Sequence, residues 1–404
     1  MRDLLFLSHR IPYPPDKGEK IRAWHILRHL ARTHRIHLGC FVDDPADRAH
    51  IETLRAHCTD LHAVVIDRRR QKALSLLRAR PGRPLTLGYF ADAGLAGWVR
   101  GKQQAGISRA FVYCSAMAPY LMGARTMRRV LDMVDVDSAK WAAYAARAAW
   151  PASMVWAREA RTLLAFERRA AADFDRTLFV SQAEAAEFRR LSPETAGRVG
   201  WFDNGVDLDG FSPGHAFATP YPPGGQDIVF TGTMDYWPNV DAVTWFAEAV
   251  LPGVQAACPQ ARFTVVGANP APAVQRLATL AGVQVTGRVP DVRPYLHHAA
   301  LVVAPLRIAR GTQNKVLEAM AMARPVVTTT DAFAGLRATP GEDLLVADGA
   351  AAFAAQCAAV LRGEYPGLGA AARAAVARHY AWDATLAGLD ALFLDTSLAH
   401  EAMP

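Results

Sequence analysis

The chain has 404 residues, 51% of them hydrophobic, and a formal net charge of +7. This length predicts two domains of similar size, each with its own core. No run of eighteen apolar residues occurs, which disfavours a membrane-spanning helix. The five cysteines are scattered and never stand in Cys-x-x-Cys spacing, which favours free thiols in the cytoplasm over a disulfide framework or a thiolate metal site.

Positive charge is concentrated in the first half of the chain. Residues 1–205 carry a net charge of +12, whereas residues 206–404 carry −5. The densest basic stretch is Arg68–Arg83, with the apolar residues Ala73–Leu77 inside it. This composition is typical of a solvated arginine-rich helix, and it also fits a peripheral segment attracted to an anionic membrane surface. Nucleic acid is disfavoured as a partner because no aromatic residues alternate with these arginines.

The first half alternates short apolar runs with helical patterns. Amphipathic spacing predicts helices over Glu19–Thr33 and within residues 138–172. The apolar runs predict strands at Leu4–Ser8, Ile36–Val42, Ala63–Asp67, Ala110–Cys114, Val130–Val134 and Thr177–Ser181. This alternation predicts a doubly wound α/β domain with a parallel sheet. Arg10 and Gly18 follow the first predicted strand and are candidates for a ligand-binding edge, because such sheets bind ligands at the carboxyl ends of their strands.

A linker rich in Pro and Gly, residues 212–226, precedes a second alternating series. Its predicted strands are Asp227–Thr231, Arg262–Gly267, Val283–Thr286, Leu301–Ala304 and Val326–Thr330. Gly232, Gly267 and Gly287 stand at the ends of the first three strands, and Thr233 follows the first glycine. Such turns let the backbone approach a phosphate closely. The chain has no G-x-G-x-x-G fingerprint, which disfavours a dinucleotide dehydrogenase.

Residues 301–330 give the strongest ligand-binding signal. A strand is followed there by a polar loop and by a predicted helix over Lys315–Met322. A helix N-terminus attracts an anion, and Glu318 in the first turn can accept hydrogen bonds from hydroxyls such as those of ribose. The candidates for a diphosphate and ribose site are Arg307, Arg310, Gly311, Thr312, Asn314, Lys315 and Glu318.

The motifs of the second half resemble the donor-binding domain of the GT-B glycosyltransferases, most closely the large retaining family 4. The resemblance rests on TGTMDYWPN (231–239), VTGRVPDVRPYL (285–296) and G-x-x-N-K-x-x-E-A-M-A (311–321). The first half, with SHRIPYPPDKGEK and LDMVDVDSAKW, resembles the sugar transferases of PEP-CTERM/exosortase surface-polysaccharide systems. The resemblance covers essentially the whole chain. It implies two Rossmann-like domains facing a central cleft, at 1–205 and 206–380, with a C-terminal helix, 381–404, that crosses back to the first domain.

The resemblance also implies roles for individual residues. It places Glu318 on the donor ribose, with Gly311 and Thr312 at the diphosphate, and Arg288 and Val289 at the base. Gly232 and Thr233 match the glycine-rich turn after the first strand of the donor domain.

Two positions depart from the family pattern. Arg310 stands where the first glutamate of the Glu-x7-Glu pair is expected, and Tyr113 lies where a histidine of the first domain is expected. The basic residues after the glycine-rich turn are also missing. We therefore interpret Arg307, Arg310 and Lys315 as a relocated cationic clamp for the diphosphate.

The predicted function is transfer of a sugar from a nucleoside diphosphate sugar to a hydroxyl of a glycan or lipid-linked glycan in surface or exopolysaccharide synthesis. Arg310 and Lys315 would stabilise the departing diphosphate, so neither a cofactor nor a metal ion is expected. Retention of anomeric configuration is implied by the resemblance alone. Asp135 or Asp137 is a candidate acceptor-side group, with capping of a helix start as the alternative. The alternative functions are a GT-B sugar-nucleotide epimerase and a catalytically silent binding scaffold.

Overall fold

A computed structural model describes residues 1–15, 18–78, 80–309 and 311–393. The chain divides into two units. Unit 1 comprises Met1–Asp203 and the chain from Leu386 onward, and unit 2 comprises Asn204–Thr385. No helix in the described ranges is both long enough and apolar enough to cross a membrane.

Unit 1 contains a seven-stranded sheet in which all neighbouring strands are parallel, in the order β3-β2-β1-β4-β5-β6-β7. In chain order the strands are β1 Arg2–Ser8, β2 His34–Val42, β3 Asp60–Val65, β4 Arg109–Tyr113, β5 Arg128–Val134, β6 Arg176–Phe179 and β7 Val199–Trp201. Their helices are α1 Gly18–Leu30, α2 Ile51–Arg55, α3 Arg68–Leu77, α4 Leu85–Tyr89, α5 Ala93–Gln104, α6 Asp137–Arg147, α7 Ala152–Asp173 and α8 Gln182–Leu191. The central strands are buried almost throughout, as expected when helices cover both faces of a parallel sheet.

Unit 2 contains a six-stranded parallel sheet in the order β10-β9-β8-β11-β12-β13. Its strands are β8 Gln226–Thr231, β9 Ala261–Val266, β10 Val283–Gly287, β11 Leu301–Ala304, β12 Val326–Thr328 and β13 Leu345–Val346. Its helices are α9 Trp237–Trp245, α10 Leu251–Ala257, α11 Pro272–Arg276, α12 Arg293–His298, α13 Asn314–Ala321, α14 Thr330–Phe333, α15 Ala350–Leu361, α16 Leu368–His379 and α17 Trp382–Thr385. A π-helical turn, Phe246–Val250, joins α9 to α10. The two Rossmann-like units thus confirm the predicted α/β class.

The C-terminal segment differs from the continuous helix predicted over 381–404. The structure has the short helix α17 and then a 3-10 turn, Asp390–Phe393, while residues 394–404 lie outside the described residues. The 3-10 turn is fixed within unit 1, because Thr33 donates a hydrogen bond to Asp390 at 2.9 Å. Gly388, a poor helix former, lies between the two turns.

Candidate functional site

In unit 2, the structure brings the glycine-rich turn after β8 next to the first turn of α13. Lys315 Nζ donates a hydrogen bond to Asn239 Oδ1 at 2.6 Å and lies 4.2 Å from the centroid of the Phe230 ring. Asn239 Nδ2 donates in turn to the Thr233 carbonyl at 2.9 Å. Asn239 therefore holds the turn and the lysine in one arrangement, a role that the sequence did not reveal.

Gly232 lacks a side chain at the point where the turn meets this lysine. A Cβ atom on Gly232 would lie 2.8 Å from Asn239 Nδ2 and 3.3 Å from Lys315 Nζ. The Asn239 amide would have to move, and with it the hydrogen bond that orients Lys315. The backbone at Gly232–Thr233 can approach an anion beside the ammonium group only because this position is glycine.

Gly267 supports the same turn from the neighbouring strand β9. A Cβ atom on Gly267 would lie 1.6 Å from the Gly232 carbonyl oxygen, and the φ angle of Gly267 is +157°. The close approach of these two loops therefore requires glycine at position 267. This finding gives Gly267 a supporting role behind the turn, in addition to its predicted place at the edge of the sheet.

We expect Gly267→Ala to displace the glycine-rich turn, because the carbonyl that the new methyl group would meet belongs to the backbone and cannot rotate away. Unit 2 should lose about 2 kcal/mol or more of unfolding free energy, a loss typical of overpacking at a close contact. Urea unfolding followed by far-UV circular dichroism measures this loss. Gly214→Ala is the matched control in unit 2, because its nearest neighbour is the Ser212 hydroxyl at 3.6 Å. Equal stability of the two variants would contradict the proposed contact.

Lys315 and Glu318 form a coupled pair one helical turn apart. Burial lowers the pKa of Lys315 to about 7, and the Glu318 charge opposes this shift. Burial raises the pKa of Glu318 to about 7, and the Lys315 charge opposes it. A bound diphosphate would favour the charged form of Lys315 by direct attraction. The pair therefore combines a cation for phosphate with a carboxyl group for hydroxyls within one helix turn.

The loop before α13 is connected to other parts of unit 2 by hydrogen bonds of its side chains. Gly311 has a φ angle of +63°, a left-handed conformation that favours glycine. The Thr312 hydroxyl donates to the Gly335 carbonyl at 3.3 Å, and the Asn314 side-chain oxygen accepts from Asn204 Nδ2 at 3.1 Å. In the structure the Thr312 and Asn314 side chains thus shape the loop, whereas the sequence predicted direct contact with the diphosphate.

Of the three predicted clamp residues, the structure describes Arg307 and Lys315. Arg307 donates two hydrogen bonds to the Asp241 carboxylate, one from Nε at 3.0 Å and one from a terminal guanidinium nitrogen at 2.5 Å. This bidentate pair directs Arg307 to α9 in the structure, and its expected contact with the diphosphate stays a prediction. Arg310 lies outside the described residues. Arg288 is exposed after β10, and Val289 packs partly against the core of unit 2.

In unit 1, Tyr113 is a structural residue and not an open binding group. Its side chain has 0% exposure, and its hydroxyl donates to the Glu19 carbonyl at 2.8 Å, next to Gly18 at the start of α1. Burial raises the pKa of Tyr113 well above its usual value. The predicted cleft role of Tyr113 is therefore corrected, because a group without exposed surface cannot line a cleft.

Arg10 is partly exposed and lies between two acidic residues. It bonds Glu19 at 2.5 Å and lies 3.4 Å from Asp43. His9 precedes it, and its ring stacks on Tyr113 with the centroids 5.8 Å apart. Burial, aided by the Arg10 charge, lowers the pKa of His9 to about 4, so its imidazole is neutral at pH 7. The tripeptide Ser8-His9-Arg10 was visible in the sequence, but only the ring contacts single out His9.

The acidic segment after β5 is held by two buried glutamates. Glu184 accepts from the Val136 amide at 2.8 Å, and Glu167 accepts from the Ser138 hydroxyl at 2.5 Å. Burial raises the pKa of Asp137 to about 6, with Lys140 opposing and the half-buried Asp135 adding to the shift. Asp137 is the first residue of α6, after the N-cap residue Val136, so Asp137 does not itself cap the helix as the alternative supposed. Asp135 lies at the bend before it.

Comparisons with known proteins concern the sequence of unit 2 and the fold of the whole chain. Residues 225–363 match the family model of glycosyl transferases group 1. No curated protein sequence matches the chain. Among solved structures, sucrose-phosphate synthase from Thermosynechococcus elongatus is similar with a TM-score of 0.68 and 16% identity, over 97% of this chain and 98% of that chain.

Two further structures share the fold. Anabaena HepE in complex with UDP and glucose has a TM-score of 0.65 and 14% identity, over 97% of this chain and 99% of that chain. A trehalose-6-phosphate structure from E. coli, bound with UDP-2-fluoro glucose, has a TM-score of 0.66 and 13% identity, over 98% and 99% of the two chains.

The two parallel-sheet units have the GT-B fold of glycosyltransferases. The group 1 match lies within unit 2 and contains the Gly232 turn, Asn239 and Lys315. Residues 225–363 are thus similar in sequence to the glycosyl transferases group 1.

Proposed function

We propose that the protein transfers a sugar from a nucleoside diphosphate sugar to a hydroxyl of a glycan or lipid-linked glycan. The observation that carries this proposal is the position of Lys315, within hydrogen-bonding distance of Asn239 and beside the Gly232 backbone. In the reaction, the bond between the anomeric carbon and the diphosphate breaks and a bond to the acceptor oxygen forms. The nucleoside diphosphate departs with the electron pair of the broken bond, and its leaving oxygen takes up the proton of the acceptor hydroxyl.

In this proposal, different residues of unit 2 contact the diphosphate and the ribose of the donor. The Lys315 ammonium, the Gly232–Thr233 backbone and the N-terminus of α13 would stabilise the negative charge that develops on the diphosphate. Glu318, one turn further along α13, would accept hydrogen bonds from the ribose. These cationic and dipolar groups act without a metal ion in the proposed mechanism. Retention of anomeric configuration is proposed from the family resemblance.

The nature of the donor is suggested by the similar structures. The HepE structure is a complex with UDP and glucose, and the E. coli structure is bound with UDP-2-fluoro glucose. We therefore propose a nucleoside diphosphate hexose, with UDP sugars as the first candidates. The resemblance of unit 1 to transferases of surface-polysaccharide systems suggests a growing polysaccharide as the acceptor.

The direct experiment is a donor hydrolysis screen over UDP, GDP and ADP sugars, followed by calorimetry with the active donor. We expect one donor to be turned over slowly in the absence of acceptor. Conversion of the donor to an isomeric nucleotide sugar would identify an epimerase instead. Failure of every nucleotide sugar to bind would favour the silent scaffold.

We also propose that unit 1 attaches to an anionic membrane, where a lipid-linked acceptor would be found. Leu77 of α3 is 82% exposed, and Trp150, just before α7, is 77% exposed. Arg158 of α7 joins the two regions by donating to the Arg80 carbonyl at 2.9 Å. Exposed basic residues surround the apolar side chains of α3: Arg69, Arg70, Lys72, Arg78 and Arg80. Apolar insertion and attraction to anionic lipid would reinforce each other here.

The double variant Leu77→Ser/Trp150→Ser should bind anionic vesicles at least about tenfold more weakly, because burial of one large apolar side chain contributes about 1.5–3 kcal/mol. Co-sedimentation with phosphatidylglycerol vesicles measures binding, and phosphatidylcholine vesicles serve as the neutral comparison. Leu280→Ser, at an exposed apolar residue of unit 2, is the matched control and should bind as the parent does. Equal sedimentation of all three proteins would remove this face from consideration.

A further inference from the structure

A cavity of unit 2 lies on the face of α9 opposite Asn239. Its volume is about 270 Å³, and it extends to Arg307 in the loop after β11. Trp237, Asp241, Thr244, Trp245 and Glu248 line it at helical spacing. This volume is slightly below the roughly 300–1,000 Å³ of pockets for drug-sized ligands, so the cavity suits one small ring.

The lining combines indole surfaces with oriented polar groups. Trp237 is 53% exposed, and Trp245 is fixed by an edge contact with Phe353, with the ring centroids 5.7 Å apart. The Thr244 hydroxyl oxygen is buried and, among the described residues, has no hydrogen-bond partner. A buried hydroxyl without a partner is unfavourable, and a rotation of the Thr244 side chain about χ1 toward the cavity would let a ligand hydroxyl satisfy it.

The charges of the cavity favour a neutral ligand. The Arg307 guanidinium is bound by Asp241, and it lies 5.6 Å from the centroid of the Trp245 ring. Glu248 adds a further carboxylate to the lining. The balance is therefore negative, which repels phosphates and uronic acids, whereas carboxylates accept hydrogen bonds readily from neutral sugar hydroxyls.

A π-helical turn beside the cavity is a second feature that indicates a functional site. The π-helical turn Phe246–Val250 follows Trp245 directly and contains Glu248. Single π-helical turns inside helices occur frequently at functional sites, because they are less stable than a regular helix.

We propose that this cavity binds a neutral pyranose unit of a saccharide, at a site separate from that of the donor diphosphate. The sugar ring would stack on Trp237 and Trp245, and its hydroxyls would bond Thr244, Asp241 and Glu248. The site goes beyond the proposed transfer reaction, because it holds a saccharide on the opposite side of α9 from Lys315. A product or acceptor chain bound here would stay attached to unit 2 between reactions.

The test uses the methyl glycosides of glucose, galactose, mannose and N-acetylglucosamine as probes. Saturation-transfer NMR is recorded with excess UDP present, so that the donor site is occupied. We expect at least one glycoside to bind with millimolar affinity. Trp237→Ala should weaken that binding about tenfold, because it removes the large exposed aromatic face on which the sugar ring would pack. Thr244→Val, which keeps the side-chain shape and removes the hydroxyl, should weaken it as well.

Two controls separate this site from the donor site. Lys315→Ala should retain glycoside binding even if it loses all nucleotide binding, and Leu280→Ser should match the parent. Circular dichroism verifies that each variant is folded. If no glycoside binds, or if binding survives both Trp237→Ala and Thr244→Val, the saccharide site is refuted, whatever the outcome for donor turnover.

Discussion

Replacing Lys315 with alanine should lower kcat/KM for the donor by roughly 10²–10³-fold, the range measured when one preorganised group at a developing charge is removed. The reason is geometric, because Lys315 is the described cation that meets both Asn239 and the Gly232 turn. Steady-state kinetics and calorimetry with the donor from the hydrolysis screen measure the loss. A variant with unchanged turnover would show that the diphosphate binds elsewhere.

The same residue predicts how donor binding changes with pH. Burial lowers the pKa of Lys315 to about 7, so the ammonium form is present below this pH and is lost as pH rises through it. Glu318, whose pKa burial raises to about 7, gains its negative charge over the same range. The first change removes an attraction for the diphosphate and the second adds a repulsion, so affinity for the donor should fall as pH rises from about 6 to about 8.

Lys315→Arg is the matched variant for this pH effect. An arginine stays charged throughout the range, and its fixed charge should also return the pKa of Glu318 toward the ordinary value. Donor affinity of the variant should therefore vary little between about pH 6 and about pH 8. A parent protein with a flat profile, or an arginine variant with the full pH dependence, would contradict the coupled Lys315–Glu318 pair.

Much of the fold could be predicted because buried parallel strands are continuous apolar runs. The predicted Val130–Val134 and Leu301–Ala304 agree closely with β5 and β11. The strands at the sheet ends, β7 and β13, were missed, because three and two residues are too few to form a recognisable pattern.

The candidate site could be predicted in its position but not in its contacts. The rule that parallel strands share a carboxyl edge brought Gly232 and the start of α13 together correctly. The partners of the cations were not predictable, because Asn239 lies 76 residues from Lys315 and Asp241 lies 66 residues from Arg307. No local spacing connects such distant residues, and only the three-dimensional packing of unit 2 brings these pairs together.

The cleft role predicted for Tyr113 was corrected because this side chain is buried. Tyr113 ends a strand at the edge where binding residues are expected, and nothing in its neighbours distinguishes a buried phenol from an exposed one. Its hydroxyl bonds a backbone carbonyl of α1, and that contact depends on how closely the helix approaches the sheet. Depth beneath the edge is a property of packing, which strand and helix patterns do not specify.

The largest stability effect in unit 1 is expected at the ion pair between Arg22 and Asp132. Both side chains have 0% exposure, and their atoms Nε and Oδ2 are 2.9 Å apart. Arg22 also donates to the Phe202 carbonyl at 3.0 Å and to the Phe179 carbonyl at 3.4 Å. One guanidinium thus connects α1 with β5 and with the ends of β6 and β7.

Asp132→Ala should destabilise unit 1 by about 3–5 kcal/mol, because it leaves the buried Arg22 charge without its partner. Arg22→Met combined with Asp132→Leu should be less destabilised than Asp132→Ala alone, since neither residue then carries a buried charge. Urea unfolding followed by tryptophan fluorescence measures both changes. Arg168→Ala, which removes an exposed ion pair with Glu194 at 2.8 Å, is the control and should unfold close to the parent midpoint. If Asp132→Ala is no less stable than this control, the ion pair does not connect the elements of unit 1 as the structure indicates.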